Sequence, residues 1–74
     1  MSRLIRMDQT GHTTVARWSA DDPASVETAV AAFREQLAEG YFAVVSEGEG
    51  RAEQVRELPL DAPLVILRRP IAGG

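Results

Sequence analysis

Apolar positions along the chain switch between an alternating spacing and a spacing of three to four, and each switch marks an element. Residues 2–7 are mostly β-compatible and run into Asp8-Gln9-Thr10-Gly11-His12, a cluster of turn-forming types. Residues 13–18, rich in β-branched side chains, supply the return strand of a predicted hairpin. Pairing 7 with 14, 5 with 16 and 3 with 18 predicts Ile5, Met7, Ala16 and Trp18 on the buried face. A slip of one residue would bury Leu4, Arg6 and Val15 instead, and an inward arginine argues against it. Asp21-Asp22-Pro23 then opens a helix: an aspartate at the N-cap, a proline at the first helical position, and Glu27 expected in the first turn. Val26, Val30, Phe33 and Leu37, widened by Ala29, form one apolar stripe, and the helix is predicted to run to Glu39 and stop at Gly40.

After the helix the alternating or continuous apolar patterns return. Residues 41–46 are apolar at nearly every position, as in a central strand. Gly48-Glu49-Gly50 turns the chain, and residues 52–58 alternate charged with small or apolar types, the pattern of a short edge strand. Pro59 and Pro63 bracket a further turn. Residues 64–69 form a last apolar, β-branched strand, which Pro70, lacking an amide hydrogen, brings to an end. The predicted order is strand, strand, helix, strand, short strand, strand. One helix on one face of a four- or five-stranded mixed sheet is an α+β solution in which each amphipathic layer buries the other.

Composition narrows the class. A chain of 74 residues has room for one domain and, at about that size, buries only about 60% of the surface its unfolded form exposes. With 45% hydrophobic and 26% charged residues it has the make-up of a folded domain. The absence of cysteine removes a disulfide framework, thiolate metal sites and thiol nucleophiles, and a cytoplasmic location is expected. The apolar runs are far short of a membrane span, and no secretory stretch opens the chain.

Charge is distributed unevenly. The formal net charge of −3 argues against a general nucleic-acid binder. Between Ser19 and Asp61, ten acids face three arginines, a net of −7, whereas the first eighteen residues and the last thirteen each carry a net of +2. All eight basic residues are arginine, so the chain has no side-chain amine.

Little in the sequence points to catalysis. His12 falls in the predicted hairpin turn with no second histidine or cysteine to share a metal. Ser25, Ser46 and the threonines have no base arranged to activate them, and the carboxylates read as a solvated helix face and edge strand. Gly48-Glu49-Gly50 is too short and too acidic to cradle a phosphate. No enzyme activity, bound cofactor or metal is expected.

The C-terminal Ala72-Gly73-Gly74 is different, because it follows a strand that Pro70 prevents from continuing and should project as an extended arm. At a usage of about 7%, two adjacent glycines at a given place occur by chance in roughly 0.5% of chains. With the element order, Thr10-Gly11 in the first turn, Asp22-Pro23 opening the helix, and Leu64-Val65-Ile66-Leu67-Arg68-Arg69 ahead of Gly73-Gly74, the whole chain resembles the ubiquitin-like β-grasp proteins, and most closely small prokaryotic members that end at Gly-Gly. Pro70-Ile71-Ala72 departs from ubiquitin's alternating arginine and leucine, and ubiquitin's acceptor lysines are absent.

The resemblance implies a β-grasp domain over residues 1–70, an extended tail over 71–74, and a bacterial protein modifier. Its carboxylate at Gly74 would be adenylated by a partner enzyme that uses ATP and then joined to target amines. Gly73 and Ala72 would thread the enzyme's channel, glycine leaving the backbone free to extend. Arg68 and Arg69 would meet acids on the partner, and Leu64 and Ile66, with Phe42 or Val44 beside them, would form an apolar patch on the open face of the sheet. The implied partners are an activating enzyme, a conjugating enzyme, a deconjugating protease and the targets, with no nucleic acid or membrane, and the free chain is expected to be a monomer. Two other readings share the fold: a sulfur carrier with a C-terminal thiocarboxylate, and a structural or adaptor domain whose tail is never activated.

Overall fold

The computed structural model describes residues 1–8, 11–46 and 52–69. Gln9 and Thr10 of the first turn, the Gly48-Glu49-Gly50 turn and the tail from Pro70 to Gly74 lie outside the described residues. The element order is β1 (Ser2–Asp8), β2 (Gly11–Trp18), α1 (Pro23–Ala38), β3 (Phe42–Ser46), β4 (Ala52–Val55) and β5 (Leu64–Arg68). These strands form one five-stranded mixed sheet in the order β2-β1-β5-β3-β4. β1 and β5 run parallel, and the β1/β2, β3/β4 and β3/β5 pairs are antiparallel. It follows that β2 and β3 point the same way, and α1 is the crossover that carries the chain over β1 and β5 between them.

The core lies between α1 and one face of this sheet. Leu4, Trp18, Ala29, Phe33, Ala43, Val45, Leu58, Val65 and Leu67 form a single buried cluster, with Val15, Ala16, Val26, Val30, Leu37, Tyr41, Val55 and Ala62 packed around it. The helical stripe is where its spacing placed it, although Val26, Val30 and Leu37 are half-buried while Ala29 and Phe33 are buried. Gln36 is also buried, which the apolar pattern did not indicate.

The hairpin register differs from the expected one. Ser2, Arg3 and Leu4 pair with Trp18, Arg17 and Ala16, then the pairing shifts by one residue so that Ile5 faces Thr14 and Met7 faces His12. This bulge leaves Val15 as the extra residue of β2, so both Val15 and Ala16 reach the core. Leu4 and Trp18 therefore both face inward; Ile5 belongs to the opposite face and Met7 is exposed. Arg6 does project toward the helix side, and it is accommodated because its guanidinium lies over the Tyr41 ring, 5.7 Å from the centroid. His12 sits in β2, exposed, not in the turn.

Both helix ends follow from their residues. Asp22 caps the N-terminus, its Oδ1 accepting from Ser25 N at 3.5 Å, and the Ser25 hydroxyl donates to Asp22 O at 2.8 Å while accepting from Ser19 N at 3.0 Å. Glu27 lies past the first turn, which contains no acid. At the C-terminus Gly40 N donates to Leu37 O at 3.1 Å and Tyr41 N to Gln36 O at 3.2 Å, with Gly40 at φ +103. This is the Schellman arrangement, in which a positive φ lets the chain reverse out of the helix.

The β4–β5 connection is held as firmly. Leu58 is buried, Trp18 Nε1 donates to Leu60 O at 3.1 Å, and Arg3 N donates to Pro63 O at 3.1 Å, just ahead of the β1/β5 ladder. β4 itself ends at Val55, shorter than the strand predicted over 52–58, because Leu58 turns inward to the core.

Three outcomes are expected. Trp18→Phe removes core volume and leaves Leu60 O without its donor, so it should cost about 2–3 kcal/mol in urea unfolding followed by circular dichroism. Gly40→Ala meets no neighbouring atom but must hold a positive φ, so it should cost about 1–2 kcal/mol through backbone strain alone. Asp21 is held below the ordinary 3.8 first by the Ser19 hydroxyl, which donates to its Oδ1 at 2.8 Å, and then by its own backbone amide. The ionised, hydrogen-bonded form therefore favours the fold above that ordinary value, and its contribution fades as pH falls through the depressed one. Ser19→Ala should raise the Asp21 titration midpoint in carboxyl NMR.

Candidate functional site

β5 occupies the middle of the sheet, between β1 and β3, and its alternation sends successive side chains to opposite faces. Val65 and Leu67 are fully buried against the helix layer, which leaves Leu64 and Ile66 half-buried on the open face. Register then dictates their neighbours: Ile66 is directly opposite Ile5 on β1 and Val44 on β3. Ile5, Ile66 and Val44 thus make an apolar row across three strands, with Leu64 and Phe42 diagonal to it. Ile5 is 8% exposed although it lies outside the core cluster, a measure of how closely this second face is packed.

Arginines rim the row. Arg3 is opposite Leu64 on one side and Arg17 on the other, and Arg68 is opposite Phe42 at the far end. All three are exposed. The open face is therefore an apolar strip bordered by guanidinium groups, a composition suited to a protein partner with apolar and acidic side chains.

Arg68 and Arg69, adjacent in sequence, serve different surroundings. Arg68 is at a strand position on the open face, whereas the Arg69 guanidinium lies over the Tyr41 ring, 5.0 Å from its centroid. Arg6 approaches the same ring. Arg6 is half-buried, and its Nε is buried with no hydrogen-bond partner among the described residues. Tyr41 is placed by the helix C-cap, since its amide is tied back to Gln36 O, and its side chain packs on the edge of the core. The sequence reading did not single out Tyr41 and Arg6. Both lie far in sequence from Arg69, and only the parallel β1/β5 pairing and the helix cap bring the three together.

Of the residues expected to act at the tail, Ala72, Gly73 and Gly74 lie outside the described residues. Among the described residues no group of three or more His, Cys, Asp or Glu side chains is gathered to hold a metal. A cleft of about 260 Å³ beside the helix is lined by Val30, Phe33, Arg34, Arg56, Glu57, Leu58 and Leu60. It brings together one carboxylate and no nucleophile, so it offers no acid/base pair for catalysis. Among the described residues no helix is long and apolar enough to cross a membrane. The chain matches no family model, no curated protein and no solved structure.

Proposed function

We propose that the chain is a bacterial ubiquitin-like modifier of the β-grasp type, activated at Gly74 and conjugated to amines of other proteins. The observation that carries this reading is the arrangement around β5. The element order of hairpin, single helix, further strands and a last strand that leads in sequence to Gly73-Gly74, with one helix on one face of a five-stranded mixed sheet, is the layout the resemblance implies. The half-buried Leu64 and Ile66 on the open face, with Arg68 and Arg69 at the end of the strand, support the same reading.

The chemistry asks little of this chain beyond delivery. A carboxylate oxygen at Gly74 attacks the α-phosphorus of ATP in the partner enzyme and pyrophosphate leaves, giving an acyl adenylate. A target amine, or first a cysteine thiolate of a conjugating enzyme, then attacks the acyl carbon and AMP departs. The chain is substrate and carrier, the partner supplies catalysis, and side-chain-free glycines allow the acyl group into a narrow channel. The open face would seat a partner through its apolar row while its arginine rim sets orientation.

The test compares tagged wild-type chain with a Gly74 deletion in the cells that make it, by gel and intact mass. Higher-mass protein adducts that vanish with the deletion are expected. A sulfur-for-oxygen exchange on free wild-type protein would overturn conjugation in favour of sulfur transfer. Unmodified protein in both strains would overturn activation altogether and leave an adaptor domain.

A further inference from the structure

α1 does not cover the sheet evenly: it packs chiefly on β2 and only lightly on β3. On the other side of the helix the core is completed by Leu58, from the connection that follows β4. The seam between helix and connection is the cleft of about 260 Å³, with Val30 and Phe33 on one wall and Leu58 and Leu60 on the other. Phe33 and Leu58 are buried, whereas Leu60 is 43% exposed. A lone exposed leucine is ordinary. Leu60, however, is held in place, because its carbonyl accepts from Trp18 Nε1 at 3.1 Å and its turn is closed by Ala62 N donating to Pro59 O at 3.1 Å. An apolar side chain on a fixed turn meets a partner with little ordering cost.

Charge says what fits there. The acidic middle of the sequence, net −7 from Ser19 to Asp61, holds three arginines, of which Arg51 lies outside the described residues. The other two both line this cleft: Arg34 belongs to α1, one turn beyond Val30, and Arg56 to the opposite wall. Both are exposed, and within the lining only Glu57 opposes them. The cleft is therefore an apolar notch with a basic rim in the most acidic part of the chain. An extended polyanion would run on into the surrounding acids, which a short segment avoids. The volume is below the roughly 300 Å³ at which pockets take drug-sized ligands, and it suits a single anchoring side chain of a protein partner. Because an arginine stands on each wall, acids on both sides of the anchor match the rim. We propose that this cleft docks a segment of a protein partner in which one large apolar side chain is flanked by carboxylates. The site is on the helix side of the sheet, away from the open face, and it does not depend on activation of the tail.

The test titrates the isotopically labelled full chain with the blocked peptide Asp-Glu-Phe-Glu-Asp and follows backbone amide, methyl and indole N–H signals by NMR. Two blocked controls, Asp-Glu-Ala-Glu-Asp and Asn-Gln-Phe-Gln-Asn, remove the anchor and the charges in turn. Saturable shifts centred on Val30, Phe33, Arg34, Leu58 and Leu60 are expected with the first peptide, and each control should bind about tenfold more weakly. Leu60→Ala, which keeps the backbone bonds of its turn, should weaken binding roughly fivefold, and Arg34→Gln and Arg56→Gln about threefold each. All three side chains are exposed, and an unmoved Trp18 indole signal shows that each variant keeps the fold. Absence of saturation, equal binding of the alanine peptide, shifts centred instead on Arg3, Arg17 and Arg68, or unchanged affinity in Leu60→Ala would each overturn the proposal. So would shifts at the same signals that grow with the concentration of the chain alone, which would make a second copy the occupant.

Discussion

The parallel pairing of β1 with β5 is the constraint on which the rest of the molecule depends. It joins the first and last strands, with Arg3, Leu4, Ile5 and Arg6 beside Leu64, Val65, Ile66 and Leu67. A parallel pair needs a long connection, and here everything between the two strands serves as that connection. Because its residues alternate, the pair furnishes two surfaces at once. Leu4, Val65 and Leu67 form the floor of the core, while Ile5, Leu64 and Ile66 become the centre of the open face. Closing so large a loop costs chain entropy, offset here by three fully buried aliphatic side chains and the backbone ladder.

Trp18 answers a second need, which is to hold the ends of the elements around that pair. Its body fills the core at the end of β2, and its indole N–H reaches Leu60 O across the β4–β5 connection. A chain of this size buries too little apolar surface to leave long connections loose. One buried aromatic with a polar handle packs the core and fixes a loop together. The Ser19–Ser25–Asp22 hydrogen bonds immediately after Trp18 then aim α1 back across the sheet.

The order of the elements was legible because strong local signals agree with the tertiary structure, whereas the strand order and the parallel β1/β5 pairing were not. Asp22-Pro23 and Gly40 delimit the helix, and the β-branched runs of β3 and β5 define the inner strands. The hairpin register was not legible, because a bulge at one residue reverses inward and outward, and nothing in Thr14-Val15-Ala16 announces it. The objection to an inward Arg6 assumed a closed apolar layer, yet at the end of the sheet Tyr41 receives the guanidinium. Buried Gln36 escaped notice for a related reason: its backbone carbonyl closes the helix cap, and its amide lies toward Glu39 Oε2 at 3.3 Å. As for the candidate site, strand alternation separated Leu64 and Ile66 from Val65 and Leu67, but adjacency in sequence gave no sign that Arg68 and Arg69 face different surroundings.

The exclusive use of arginine has a consequence at Tyr41 that composition alone would not show. A base-composition bias toward arginine acts on exposed positions indifferently, and for Arg3, Arg17 and Arg68 a lysine would serve nearly as well as a rim charge. Arg6 is different, since part of its head is buried. A lysine ammonium is a compact, strongly hydrated charge that loses water when placed against a ring, whereas a guanidinium is planar, weakly hydrated and able to stack while keeping donors at its edge. The requirement for arginine is thus set by geometry at position 6 and by charge alone at the rim. The same distinction separates two surfaces of the molecule: an apolar strip with a basic border on the open face, and the Arg6 and Arg69 guanidiniums set 5.7 and 5.0 Å from the Tyr41 ring centroid.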